Sequence, residues 1–327
     1  MIMNLFKKPL LVFVFGWCCN CAVAQPCAEV IGWGENTAGQ ATGAASRDYL
    51  GGVVTVDGKV VSNVAAMAAG FNHSHALKSD GTVVGWGWNG GGKITIPTNL
   101  VAVTAVAAGS RHSLALQKDG QVIAWGDSQF DKTTVPEGVT NVVAIAAGDE
   151  YSLALNKEGL VASWSGTVTP TGLSNVVAIA ASPGMAGRSL ALRKDGSVVE
   201  FDNHSRSVTL VPAVSNVVAI AAGPHHCLAL KHDGTVYGWG SNDSGETTLP
   251  AGLSNVIAIA AGGNDFPATG FSLALKSDGT VVEWGKIYSQ PATAPMGLSN
   301  VVAIAAGHNY CLALTTNPAV ADSFRHR

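Results

Sequence analysis

An internal repeat restricts this chain to very few folds. Asn216 to Gly240 reads NVVAIAAGPHHCLALKHDGTVYGWG, and most of the sequence consists of variations on it. The segment holds three short apolar runs, with Asp233-Gly234 between the second and the third. An Asp-Gly pair flanked by alternating apolar residues predicts a hairpin on a type I′ turn, with positive φ at both central residues. Three antiparallel strands cannot bury both of their own faces in water. The unit needs copies beside it.

The chain supplies them. The small residue that ends the first strand recurs at Gly70, Gly109, Gly148, Ser182, Gly223, Gly262 and Gly307, with spacings of 39, 39, 34, 41, 39 and 45. The hairpin turn recurs at Asp80-Gly81, Asp119-Gly120, Glu158-Gly159, Asp195-Gly196, Asp233-Gly234 and Asp278-Gly279. Third strands end in Trp86, Trp125, Trp164, Phe201, Trp239 and Trp284. A polar loop and a TTVP-like run follow, and that run is expected to serve as a fourth strand. Periods near 40 to 45 residues with four strands per unit indicate propeller blades.

The ends of the chain complement each other. The unit beginning at Asn300 stops after Leu314 without a third strand, whereas Glu29 to Gly34 matches a third strand and precedes the first complete unit. The expected fold is all-β: a seven-bladed β-propeller closed by an N-terminal strand, which would remove the exposed edges of an open array. The first strands agree with this. Asn141 to Ala147 is apolar on both faces and shrinks to alanine at one end, as sheets crowding around an axis require.

Ahead of the repeats, Lys7 and Lys8 precede an apolar run from Leu10 to Trp17, and Ala22-Val23-Ala24 offers a small-x-small cleavage site. Residues 1–24 read as a secretory signal peptide, since the run is shorter than the ~20 residues that span a bilayer. The expected layout is a signal peptide at 1–24, a propeller at 25–315 and a tail at 316–327, in a secreted or periplasmic protein with no membrane span. Removing Lys7 and Lys8 leaves 17 basic against 22 acidic residues, a charge of −5. With no basic stripe visible, no nucleic-acid partner is expected. Hydrophobic content of 47% excludes disorder. Cys27, Cys227 and Cys311 have no metal-type spacing and read as small buried hydrophobes.

The run AAGxxHSLALKxDGTVVxWG, repeated along nearly the whole mature chain, resembles the repeat of the regulator-of-chromosome-condensation propellers. That family includes nucleotide-exchange factors, ubiquitin-ligase modules and secreted bacterial inhibitors of β-lactamases, so the resemblance implies a fold before it implies a function. The signal peptide, the short blades and the N-terminal strand are most similar to the secreted inhibitor type.

The repeat frame itself offers little chemistry. His73, His112 and His226 share one repeat position with Tyr151, Phe271, Tyr310 and Arg188. A position open to His, Tyr and Phe is one for packing or hydrogen bonding, and zinc would need three or four convergent ligands. His73 and His75 share a strand face, but no third ligand accompanies them. No nucleophile elbow, phosphate loop or HExxH pattern occurs. Neither cofactor nor metal is expected, and the chain is read as a non-enzyme.

The loops after the first and third strands fall on one face, the Asp-Gly and GLSN turns on the other. The first face varies from unit to unit, and its aromatics mixed with polar residues have the composition of a protein-binding surface. The expected contact residues are Phe71, Asn72, Trp88, Arg111, Phe130, Asp149, Glu150, Met185, His225, Asp243, Asp265, Phe266, Tyr288 and His308. Insertions after Ser182 and Gly262, beside a shortened loop after Trp164, bias the site towards units four to six. The expected partner is an unidentified extracellular or periplasmic protein, bound by a monomer. The alternative is a glycan-binding module or hydrolase acting in the central depression of the same face. A hydrolase would need two carboxylates about 5 to 10 Å apart, and the sequence alone assigns no such pair.

Overall fold

The computed structural model describes residues 28–47, 51–165, 173–185, 188–202, 207–212, 214–288 and 290–317. The signal segment, Cys27, the shortened loop after Trp164, Ala186-Gly187, Asn203-His204 and the tail beyond 317 lie outside the described residues.

The repeats form small antiparallel sheets, and the described residues contain almost no helix. The first unit pairs Val64–Ala69, His73–Lys78 and Val83–Gly87 in sequence order, and the next five units repeat that order. Each first strand also packs against the first strand of the following unit. The final sheet is assembled from both ends of the chain. Val301–Ala306 pairs with Tyr310–Thr315, which pairs in turn with Glu29–Gly34, in register from Glu29 opposite Thr315 to Gly34 opposite Tyr310. Val301–Ala306 also packs against Val64–Ala69 of the first unit, and the His308 amide donates to the Gly70 carbonyl at 3.2 Å.

Three local expectations need correction. The Asp-Gly turns are not type I′. Gly81 has a φ of 84°, but Asp80 is not among the positive-φ residues, and the Gly81 amide donates to the Lys78 carbonyl at 2.9 Å. This is a three-residue connection closed by a left-handed glycine. The Asp80 carboxylate instead accepts from the Thr82 amide and hydroxyl, at 2.9 and 2.7 Å, and Asp233 and Asp278 do the same for Thr235 and Thr280. The fourth strand is also less general than the TTVP-like run suggests. Val208–Leu210, Gln290–Pro291 and Gly52–Val53 fill that place, whereas the first, second and fifth units have only three strands. In the first and fifth units the loop folds on an asparagine instead: Asn89 and Asn242 accept from the amides of Ile94 and Thr247 at 3.0 Å. Finally, the insertion after Gly262 is not an irregular loop. Val256–Asp265 and Ala268–Lys276 continue pairing out to Asp265 opposite Ala268, so the two strands run on as a projecting hairpin.

The sheets are joined by a repeated polar seam. Four residues that lie six positions beyond a third-strand glycine, namely Gln40, Lys93, Lys132 and Glu246, turn a backbone carbonyl towards the next sheet. Each carbonyl accepts the indole N–H of that sheet's tryptophan (Trp86, Trp125, Trp164 and Trp284), at 2.7 to 3.2 Å. Three of them also accept the hydroxyl of Ser74, Ser113 or Ser272, at 2.9, 3.2 and 2.8 Å. The shared His/Tyr position completes the seam. His73, His112 and His226 reach Ser113, Ser152 and Ser272 of the next unit through Nε2 at 2.9, 2.8 and 3.0 Å, and the Tyr310 hydroxyl reaches Ser74 at 2.8 Å.

Two seams use other chemistry. In the fourth and sixth units the residue before the third-strand aromatic is Glu200 or Glu283, where neighbouring units have Gly, Ala or Ser. The unit that follows each carries cysteine in place of serine. Trp33 donates to one Glu283 oxygen at 2.9 Å and Cys311 Sγ to the other at 3.2 Å, while Trp239 donates to Glu200 at 3.3 Å. Cys227 and Cys311 are free thiols, both buried, as small core hydrophobes would be.

Burial fixes how these groups titrate. Desolvation lowers His112 and His226 to about 3 and His75 to about 4, so they are neutral in the fold. Below about pH 6.5 the unfolded chain binds protons that these imidazoles refuse, and stability is lost as pH falls towards their folded values. Glu283 has the opposite sign, because burial raises it to about 7 from 4.5. Its carboxyl therefore destabilises the fold increasingly as pH rises from about 4.5 to 7. The thermal midpoint of the protein should fall between pH 6.5 and 4. The difference between Glu283→Gln and the parent should shift in favour of the variant as pH rises from 4.5 to 7; a pH-independent difference would contradict this account of the seam.

Candidate functional site on the loop face

The first-strand and third-strand loops surround a cavity of about 680 Å³ at the centre of their face. Ten of the expected contact residues line it: Phe71, Asn72, Trp88, Arg111, Asp149, Met185, Asp265, Phe266, Tyr288 and His308. Four do not. Phe130 is exposed at the rim, with the Lys132 ammonium 5.2 Å from its ring centroid. Glu150 lies behind the wall, tied to Lys132 and to Arg111, the latter at 3.2 Å. His225 supports Asp265 from outside, Nε2 to Oδ1 at 3.2 Å, and Asp243 is exposed further out beside Ser241.

Three devices hold the lining in place. The projecting hairpin has Phe266 at its tip, 78% exposed. Asn264 clamps that tip from both sides: its Oδ1 accepts from the Phe266 amide and its Nδ2 donates to the Phe266 carbonyl, both at 2.9 Å. The aromatic ring is thus presented on a stiff, internally bonded turn.

The second device is a strap from the fourth unit, Pro183 to Met185, which crosses the middle of the face. Ser110 of the second unit donates its hydroxyl to the Pro183 carbonyl at 3.2 Å, and the Met185 amide donates to Asp265 of the sixth unit at 3.1 Å. Gly184 lies between them, and a Cβ there would come within 2.8 Å of the Pro224 Cα. Only glycine allows so close an approach.

The third device ties the last and sixth units together. Glu35 accepts from the Tyr288 hydroxyl at 2.7 Å and from Asn309 Nδ2 at 3.3 Å, and the Phe71 ring lies 3.7 Å from the His308 imidazole, centroid to centroid. Burial lowers His308 to about 4, so that imidazole is neutral.

Sequence reading missed Glu35 and Lys93 as parts of this wall, and it places Ser110, Asp127, Pro183 and Asn264 in the loops of this face without naming them as contacts. Lys93 was the most legible of them. It repeats at Lys132, Gln40 and Glu246, always six residues past the glycine, and a long polar side chain at a fixed repeat position signals a bonding role. The Lys93 ammonium is committed to Asn72 Oδ1 at 2.8 Å and the Ser110 carbonyl at 3.3 Å, and desolvation lowers it to about 8. Among the described residues no three His, Cys, Asp or Glu side chains converge as metal ligands would.

The family model described as the regulator of chromosome condensation (RCC1) repeat matches residues 64–92, 103–131 and 217–246. The chain carries RCC1 repeats. Its fold is that of the RCC1 propellers. Yeast RCC1 (Prp20), in a crystal structure bound to Kap60, superposes with a TM-score of 0.70 at 18% identity, covering 98% of this chain and 96% of that one. Human WBSCR16 gives 0.67 at 18% identity, covering 88% and 98%. The CRINKLY ectodomain of the Arabidopsis thaliana receptor kinase ACR4 gives 0.59 at 22%, covering 75% and 90%. Identities this low establish the RCC1-type fold alone. No curated protein matches the sequence.

Proposed function

We propose that this chain is a secreted or periplasmic, non-enzymatic, seven-bladed RCC1-type propeller that binds a partner protein through its loop face. The observation that carries the reading is Phe266, an exposed aromatic ring on a clamped hairpin tip beside a cavity rimmed by the exposed Phe71 and Trp88. Exposed large aromatics normally cost solubility, and a rigid one sacrifices little entropy on binding. The signal-peptide pattern at residues 1–24 supports export. Binding of Kap60 by yeast RCC1 supports partner recognition as a use to which this fold is put.

A glycan-binding or hydrolytic reading rests on Asp149, whose carboxyl is raised by burial and by the nearby acids Glu150 and Asp265. A raised carboxyl suits a general acid. Asp265 makes a poor second carboxylate, because one of its oxygens accepts the Met185 amide and holds the strap in place.

Aromatic anchors typically cost about 2 kcal/mol or more when truncated, roughly thirtyfold in affinity. Phe266→Ala should weaken partner binding by that order while leaving the thermal midpoint unchanged, and Ser254→Ala on the opposite face should leave binding intact. Equal loss from both variants in a calorimetric titration would overturn the assignment of the face. Ring closure by Glu29–Gly34 is part of the proposal: a chain lacking residues 25–36 should expose the edge of Tyr310–Thr315, melt lower and aggregate. A deletion variant that stays monomeric at the parental midpoint would disprove it.

A further inference from the structure

The electrostatics of the cavity identify the kind of group it would take. Four carboxylates line it, those of Glu35, Asp127, Asp149 and Asp265, against two cations, Lys93 and Arg111. His308 lines it too but is neutral, for the reason given above. The wall therefore carries an excess of negative charge.

The excess is concentrated on one residue. Glu35 is satisfied by Tyr288, Asn309 and Thr37, and Asp265 accepts the Met185 amide on one oxygen, with His225 Nε2 3.2 Å from the other. Asp127 lies 3.8 Å from the Arg111 guanidinium, which is held closer, at 3.2 Å, by Glu150. Lys132 is likewise spent on Glu150. Among the described residues Asp149 has the Ser110 side chain as its hydrogen-bond partner, and burial together with the like charges of Glu150 and Asp265 outweighs the pull of the Arg111 guanidinium on it. Among the described residues no cationic nitrogen lies within ion-pair distance of it. A half-buried carboxylate with no ion pair and two acidic neighbours is costly in the free protein and is relieved by an incoming cation.

The rest of the lining favours the same guest. Phe71, Trp88 and Phe266 are 39%, 55% and 78% exposed, and aromatic faces attract a cation placed over them. A cavity of about 680 Å³ also leaves room for apolar neighbours of that cation. We infer that the cavity receives one basic side chain, lysine or arginine, presented on an apolar loop of the partner, with Asp149 as its counter-charge. This inference rests on the docking reading. An anionic guest would meet the surplus carboxylates, and a neutral one would leave Asp149 unrelieved.

The probes are the tripeptide acetyl-Leu-Arg-Leu-amide and its citrulline analogue, which keeps the shape and removes the charge. They are titrated against the mature chain, with the Trp88 indole N–H followed by NMR. The arginine peptide should bind about tenfold more tightly, as expected for a charge-assisted hydrogen bond. Asp149→Asn should abolish that preference, whereas Phe130→Ala, outside the cavity, should preserve it. Equal binding of the two peptides, binding of neither, or a preference that survives Asp149→Asn would each overturn the inference. The docking reading fails separately, through partner binding that is insensitive to Phe266→Ala.

Discussion

The structure depends on a carbonyl that one sheet lends to the next. Each RCC1-type unit is too small to bury its own faces, so the fold exists only if neighbouring sheets dock in a fixed register. Apolar packing draws the sheets together but is not directional. Direction comes from the seam, where the carbonyls of Gln40, Lys93 and Glu246 each bind a serine hydroxyl and an indole N–H of the following sheet. Such a bond contributes only about 1 kcal/mol net, but leaving its buried donor unpaired costs more than that. A shifted docking would strand several donors at once, and the seam therefore acts mainly against misregister.

The same carbonyls lie within the loops that build the cavity face. Lys93 shows the connection most directly: its carbonyl latches Ser113 and Trp125, while its ammonium reaches Asn72 and Ser110 in the cavity wall. Frame and site share residues. The face is consequently held by the propeller rather than attached to it, and the strap and hairpin add ties between units that are not adjacent in sequence.

Much of this was legible in the sequence because it is repeated. The period, the strand order and the hydrogen-bonding role of the His/Tyr position could all be read by comparing copies. The asparagines before the first strands have the same origin: Asn141, Asn216 and Asn255 have φ of 53°, 57° and 55°, a conformation that favours asparagine. Ten of the fourteen expected contact residues line one cavity because strand alternation settles which loops share a face. What escaped depends on single residues. That Asp-Gly makes a three-residue turn is not encoded in the pair itself: the same turn forms at Glu158-Gly159, where Gly159 has a φ of 79° and its amide donates to the Asn156 carbonyl. The strap required knowing that Ser110 and Asp265 approach Pro183 and Met185 across the axis, and no periodic signal encodes that contact.

The exchange of seam chemistry has a consequence for how such chains can be rearranged. A serine needs a small residue before the aromatic of the preceding unit, as with Gly85 ahead of Ser113, whereas a cysteine follows Glu200 or Glu283. Each unit therefore carries a key on one side and a lock on the other, and two types of lock are in use. Duplicating the fifth unit behind the second would set Cys227 against Ala124 and leave Trp239 facing a loop that expects serine beside it. The units look interchangeable, but a cysteine unit fits only behind a glutamate unit and a serine unit only behind one with a small residue, so recombination is limited to orders that match the two types.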